Sequence, residues 1–198
     1  MPKNIWAVGR NYSDHAKEMN APVPKEPMVF LKSGSCLVHD RTVPLDTRLL
    51  PVHHELEIAY RLDDHLEPSE MALALDLTAR TQQGHAKENG LPWTLAKSFR
   101  NSCPISHFVP VPKNLPVIAF ELMVNGQVRQ SARSTDMIFD VNVLLKHLIS
   151  FFPVESGDIV LTGTPSGVGS VMPGDTLVGT ARSDLGHSIR AEWVFFQA

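Results

Sequence analysis

Two glutamates separated by one residue, in His53-His54-Glu55-Leu56-Glu57-Ile58-Ala59-Tyr60, could do chemistry together. On a β-strand side chains alternate between faces, so Glu55 and Glu57 share one face with His53. Leu56 and Ile58 point the other way, toward a core. Carboxylates at this spacing stand about 7 Å apart, and they repel if the face is enclosed. A hard divalent cation removes that cost, because Mg²⁺ and Ca²⁺ prefer carboxylate oxygens. By itself such a pair is more often the wetted face of an antiparallel strand. A further acid, Asp76, stands in the apolar run Met71-Ala72-Leu73-Ala74-Leu75-Asp76-Leu77, where a buried, unpaired charge is costly. It reads either as a third ligand or as the surface or cap residue of a helix.

His15 and Glu18 stand at i and i+3, on one face of a short helix opening near Ser13-Asp14. A carboxylate beside an imidazole fixes its tautomer and raises its basicity, which suits a general base. The same pair is compatible with a solvent-exposed ion pair or ordinary capping. Leu161-Thr162-Gly163-Thr164-Pro165-Ser166-Gly167-Val168-Gly169 follows a strand but lacks the Gly-Lys-Ser/Thr ending of a phosphate loop. It reads as backbone that approaches a small anion, with Thr164 as a hydroxyl donor, or as a tight structural turn. Lys97 lies in the apolar Leu91–Phe99 stretch, where a buried ammonium needs a charge partner such as a metal-bound 2-oxo acid. A stem that snorkels to water is the commoner fate of a single lysine.

These residues need strands and turns to hold them. Fifteen prolines and twelve glycines punctuate short segments throughout the chain. Strands are predicted over Ile5–Gly9, Met28–Lys32, His54–Tyr60, Ile118–Asn125, Asp158–Thr162, Asp175–Gly179 and Ile189–Phe196. Asn125-Gly126 marks a type I′ hairpin. Ile138, Val141, Leu144, Leu145, Leu148, Ile149 and Phe152 form one apolar helical stripe, capped by Ser134, Thr135 or Asp136 and stopped by Pro153. Short helices are expected from Ser13 to about Met19 and over Thr81–Asn89, the latter closed by Gly90. The class is α+β, mostly β, in a single domain spanning 1–198.

The 198 residues carry 43% hydrophobic and 20% charged side chains and a net charge of −3. That balance gives no electrostatic reason to expect nucleic acid or an anionic membrane as partner. No apolar run approaches the roughly 20 residues of a membrane helix. Two cysteines without a Cys-x-x-Cys pattern suit a reducing compartment, and the N-terminal residues show no apolar signal core. A cytoplasmic location is expected.

Several motifs recur in one order. They are Val8-Gly9-Arg10-Asn11-Tyr12 with Asp14-His15 and Glu18, Glu26-Pro27-Met28-Val29-Phe30-Leu31-Lys32, and His53-His54-Glu55-Leu56-Glu57. Leu75-Asp76-Leu77-Thr78-Ala79-Arg80 with Gln83, Leu91-Pro92-Trp93 through Lys97-Ser98-Phe99, and Val124-Asn125-Gly126 with Arg129-Gln130 follow. Asp136-Met137-Ile138-Phe139 and Gly157-Asp158 through Gly169 close the series. As an ordered set spanning nearly the whole chain, they resemble the fumarylacetoacetate hydrolase family, in its short branch of acylpyruvases and oxaloacetate decarboxylases.

The resemblance implies a rolled, mixed β-sandwich and a homodimer. It implies Mg²⁺, with Mn²⁺ or Ca²⁺ as alternatives, held at Glu55, Glu57 and Asp76. It further implies a His15–Glu18 dyad on a lid segment within residues 1–20, a catalytic Lys97, and Arg10, Arg80, Gln83 and Thr164 on substrate positions. Between Glu57 and Asp76 the chain is shorter than the family pattern by about one helix, with a polar Arg61–Glu70. Thr81 replaces an acid common there. The implied reaction is metal-dependent hydrolysis of a C–C bond in an acylpyruvate-type 2-oxo acid through an enolate. The alternatives are oxaloacetate decarboxylation or tautomerisation, isomerisation of 2-hydroxyhepta-2,4-dienedioate-type diacids, and a non-catalytic ligand-binding member.

Overall fold

The structure is a computed structural model that describes residues 2–18, 22–112 and 114–198. The expected end of the first helix near Met19 lies outside the described residues; the helix is formed over Ser13–Glu18. Two mixed sheets dominate. The first runs in the order Val109–Pro110, Pro68–Leu75, Leu56–Leu62, Ile159–Leu161, Asn4–Gly9, Met28–Ser33. Its neighbours are antiparallel except Asn4–Gly9 beside Ile159–Leu161. The second runs Gln127–Arg133, Ile118–Val124, Thr176–Ser183, Ser188–Gln197, Thr42–Leu45, parallel only at its last pair. This is the α+β, mostly β class expected from the sequence.

The sheets pack through Leu56, Ile58, Tyr60, Leu73 and Leu75 of the first against Phe120, Leu122, Leu177, Trp193 and Phe195 of the second. Gly179 lets them close: a Cβ there would stand 3.1 Å from Trp193 and 3.3 Å from both Leu56 and Leu73. The opposite face of the first sheet is also covered, by a second cluster containing Ala59, Ala72, Ala74, Ile5, Cys103 and Ile105. A strand buried on both faces reads as a continuous apolar run rather than an alternation. That is why Pro68–Leu75 was not among the predicted strands, and why the Glu55–Glu57 face is enclosed rather than wetted.

The predicted strand His54–Tyr60 divides at Glu55, with Val52–His54 joining a small three-stranded sheet and Leu56–Leu62 the large one. The polar stretch after Glu57 is a β-hairpin. Leu56–Leu62 and Pro68–Leu75 pair directly, and Asp63 Oδ1 accepts from the backbone N–H groups of His65 (2.8 Å) and Glu67 (3.0 Å) to close the turn.

Asn125 and Gly126 take φ of 51° and 78° and join the predicted hairpin, as a type I′ turn demands. The long helix starts later than expected, at Val141, and ends at Phe151. Asp140, not Ser134, Thr135 or Asp136, caps it by accepting from Val143 N–H (2.9 Å). The reason lies in Asn11, which binds both backbone groups of Phe139 (2.8 and 2.9 Å) and accepts from Ile138 N–H (2.8 Å), keeping that stretch out of helix. The helix over Arg80–Asn89 ends as predicted on Gly90 with φ 63°. Among the described residues no helix is long and apolar enough to cross a membrane.

Candidate active site

Glu57 projects from the Leu56–Leu62 strand on the face lined by alanines, and its register partner is Ala74. Small neighbours leave space there for a carboxylate and whatever it binds. Asp76 follows the paired strand immediately, so it comes from a strand end rather than a helix surface or cap. Carboxylate oxygens of Glu55, Glu57 and Asp76 all lie within 4.8 Å of one another. The three residues are only 4%, 1% and 0% exposed.

Three cations surround this trio. Lys97 Nζ, on a one-turn helix over Thr94–Lys97, donates to Glu55 Oε2 (2.8 Å), Asp76 Oδ2 (2.5 Å) and Thr78 Oγ1 (2.7 Å). Its partners are therefore the acids themselves, whereas the sequence suggested a metal-bound 2-oxo acid. Lys32 Nζ donates to Asp76 Oδ1 (2.7 Å) and to the Lys97 carbonyl. Arg80, opening the Arg80–Asn89 helix, donates to Glu55 Oε1 (2.6 Å) and to Gln83 Oε1 (2.8 Å).

Charge is distributed unevenly among the acids. Burial opposes ionisation of Glu55, but Lys97 and Arg80 overcome it and hold its carboxyl well below the usual range. Lys97 is likewise penalised by burial, yet Asp76 and Glu55 raise it above the ordinary lysine value. Glu57 is pushed well above the usual carboxylate range by burial and then by the charges of Asp76 and Glu55. Glu57 Oε2 accepts a hydrogen bond from the Gly163 N–H at 2.6 Å. Three buried carboxylates this close, one of them short of positive charge, are a donor set that suits a divalent cation.

The expected base stands across the cleft. His15 is 5% exposed, and its Nδ1 lies 3.2 Å from Glu18 Oε2. Glu18 in turn accepts from Gly167 N–H at 3.1 and 3.3 Å. The glycine-rich stretch is thus pinned at both ends, by Gly163 to Glu57 and by Gly167 to Glu18. Gly163 (φ +94°) and Gly167 (φ +92°) take conformations that L side chains rarely adopt, and a Cβ on Gly167 would stand 1.9 Å from the Arg129 carbonyl. Here the close approach serves other protein groups, a role the sequence did not distinguish from anion binding.

Arg10, His15, Glu55, Glu57, Arg80, Gln83, Lys97 and Thr164 all line one cleft, together with Met28, Phe30, Lys87 and Trp93. Asp76 lies beneath it and Glu18 behind His15. All ten expected site residues therefore converge, from segments spread over residues 10–164. Lys32 and Gln130 bond directly to two of these residues, Asp76 and Thr164, but carried no assigned role. Lys32 was legible in principle, since Met28, Phe30 and Lys32 share a strand face. Gln130 sits on a strand of the other sheet; it falls within a motif, but its neighbours in sequence give it no role.

A profile described as Fumarylacetoacetate (FAA) hydrolase C-terminal matches residues 4–190. The mitochondrial oxaloacetate tautomerase of Bos taurus is 43% identical over 193 residues, covering 88% of this chain and 85% of its own. The mitochondrial oxaloacetate decarboxylase of Dictyostelium discoideum is 42% identical over 189 residues, covering 88% and 87%. Among solved structures, fumarylpyruvate hydrolase from Pseudomonas aeruginosa, in complex with Mn²⁺ and pyruvate, matches with a TM-score of 0.86 at 27% identity. That match covers 100% of this chain and 91% of the other. With its fold, its enclosed acid trio and these likenesses together, the chain belongs to the fumarylacetoacetate hydrolase family.

Proposed function

We propose that this protein interconverts the keto and enol forms of oxaloacetate-type 2-oxo diacids, with decarboxylation at the same centre as the companion reaction. The observation that carries this reading is a cleft lined by Arg10, Arg80, Lys87 and Lys97 above a buried acid trio. With all three carboxylates ionised, the charges of Lys32, Lys97 and Arg80 match them in sum, so a bound dication would leave two positive charges for a dianionic ligand to meet. Lys87 is pushed below the ordinary lysine range by partial desolvation and then by the charges of Arg10 and Arg80. A second carboxylate at the cleft mouth relieves that repulsion, which favours a diacid over a monoacid.

Glu55, Glu57 and Asp76 would hold the divalent cation, Mg²⁺ or Mn²⁺, which when bound supplies Lewis-acid charge for the oxygens of a 2-oxo acid. Glu18 engages His15 Nδ1, leaving Nε2 as the nitrogen that takes the C3 proton on enolisation, as the 2-oxygen gains one. In the reverse direction Nε2 gives a proton to C3, as the enol hydroxyl loses its own. Arg80, fixed by Gln83 and Glu55, and Arg10 orient carboxylates. Residues 13–18 act as a lid that limits water, within a single catalytic domain. Two buried free cysteines support a reducing compartment such as the cytoplasm. The family resemblance supports a homodimer.

Acylpyruvate hydrolysis, the main expectation from the sequence, retains one specific support in the fumarylpyruvate hydrolase likeness. The relatives above 40% identity carry tautomerase and decarboxylase names instead. The deciding experiment follows oxaloacetate enol absorbance, pyruvate release and acylpyruvate cleavage in parallel, with and without Mg²⁺ or Mn²⁺. The proposal expects metal-dependent loss of enol absorbance as the fastest of the three. Rapid acylpyruvate cleavage with no effect on oxaloacetate would overturn it.

A further inference from the structure

Gln130 is 1% exposed and uses both ends of its amide. One end lies 3.0 Å from the backbone N of Leu56 and 3.1 Å from His54 Nδ1; the other lies 2.8 Å from Thr164 Oγ1 and 2.9 Å from the Pro165 carbonyl. The assignment of its atoms follows from chemistry alone. Leu56 N–H can only donate, so the atom facing it is Oε1, and the other is Nε2, which can only donate. Pro165 O can only accept, in agreement. Thr164 Oγ1 therefore receives a hydrogen from Gln130, and its own hydrogen goes to the Leu56 carbonyl 2.9 Å away. The single hydrogen of the Thr164 hydroxyl is committed inside the protein.

We infer that Thr164 meets a ligand in this cleft only as a hydrogen-bond acceptor, and that Gln130 is the positioning residue that holds it so. This reverses the donor role expected from residue type. A lone pair at that point selects a ligand carrying a hydrogen on the facing atom: the hydroxyl of an enol rather than the carbonyl of a ketone. The inference deepens the tautomerase reading and rests on it. It locates part of the discrimination between the two tautomers in the polarity of one hydroxyl, set by a side chain of the other sheet that does not line the cleft.

The test is calorimetric binding of two small probes to the Mn²⁺-loaded protein. Oxamate carries an N–H donor, and oxalate carries none. Relative to wild type, Thr164→Val is expected to weaken oxamate about five- to tenfold, the worth of one neutral hydrogen bond. Oxalate should change less than about twofold. Thr164→Ser, which keeps the hydroxyl, should retain the wild-type preference. Gln130→Met should lower the oxamate-to-oxalate ratio too, with no additional loss when combined with Thr164→Val. Where Gln130→Met fails to fold, Gln130→Glu, which keeps the acceptor contacts and loses the donors, takes its place.

Equal or greater weakening of oxalate by Thr164→Val would show a donor and overturn the inference. So would unchanged binding of both probes, or additive losses in the double variant. Because the readout is binding, a protein that leaves oxaloacetate untouched yet shows the expected probe pattern refutes the tautomerase reading alone.

Discussion

The backbone N–H of Asp76 donates a 2.8 Å hydrogen bond to the carbonyl oxygen of Glu55. This bond extends the ladder in which Leu56 faces Leu75 and Glu57 faces Ala74. The third acid is therefore delivered by strand register, which turns on hydrogen bonds every two residues, and not by the length of the connecting chain. The short hairpin connection leaves the trio intact for that reason.

The first prediction concerns that hairpin. Insertion of about ten Gly/Ser residues between Asp64 and His65 should cost about 1 kcal/mol, the loop-closure entropy of a few-fold longer loop. Urea denaturation reports this cost. Mn²⁺ affinity, measured by calorimetry, should stay within about twofold; a large loss would show that the turn, not the register, orients Asp76.

Two substitutions in the trio should act with opposite signs on the metal-free protein. Glu57→Gln removes a carboxylate that burial and two acids disfavour, so the metal-free melting temperature should rise. Asp76→Asn strips Lys32 and Lys97 of a buried partner and should cost about 3–5 kcal/mol. Both should abolish the stabilisation by Mn²⁺, about 2.7 kcal/mol for wild type at a hundredfold excess over Kd. Thermal melts with and without Mn²⁺ read both effects, and retained stabilisation in Glu57→Gln would remove Glu57 from the ligand set.

His15→Ala should lower turnover about 10²- to 10⁴-fold, the usual worth of a general base, with Mn²⁺ affinity unchanged. Gly167→Ala displaces the Gly167 N–H from Glu18, because a Cβ meets the Arg129 carbonyl. It should lower kcat without weakening metal binding. Steady-state kinetics beside metal titration separates the two readouts, and full activity in His15→Ala would eliminate the proposed base.

Stability should depend on pH in a direction set by Glu57. Its carboxyl titrates above the ordinary 4.5 in the folded protein, so between those values the folded state binds more protons than the unfolded chain. Its contribution is present below pH 4.5 and is lost as pH rises through the folded value. Glu55, shifted downward, contributes above pH 4.5 and loses that contribution as pH falls. Metal binding expels the Glu57 proton, so Mn²⁺ affinity should climb with pH. Chemical denaturation of metal-free wild type and Glu57→Gln across this range should show the slope difference; parallel curves would contradict it.

Local pattern determined much of this protein. Period two placed Glu55 and Glu57 together and marked the hairpin partners of Asn125-Gly126, while the i, i+3 spacing placed His15 beside Glu18. These relations are short-range, so neighbouring residues suffice to specify them. The ordered motifs carried the family and pointed to ten residues that the fold brings together. Tertiary structure decided the rest. Only the pairing of Leu56–Leu62 with Pro68–Leu75 enclosed the acids, brought Asp76 under them, and made Lys32 and Lys97 their counter-charges. Only the packing of the second sheet set Gln130 against Thr164 and turned that hydroxyl inward. Burial and hydrogen-bond polarity depend on which distant groups share a space, and no local periodicity encodes that.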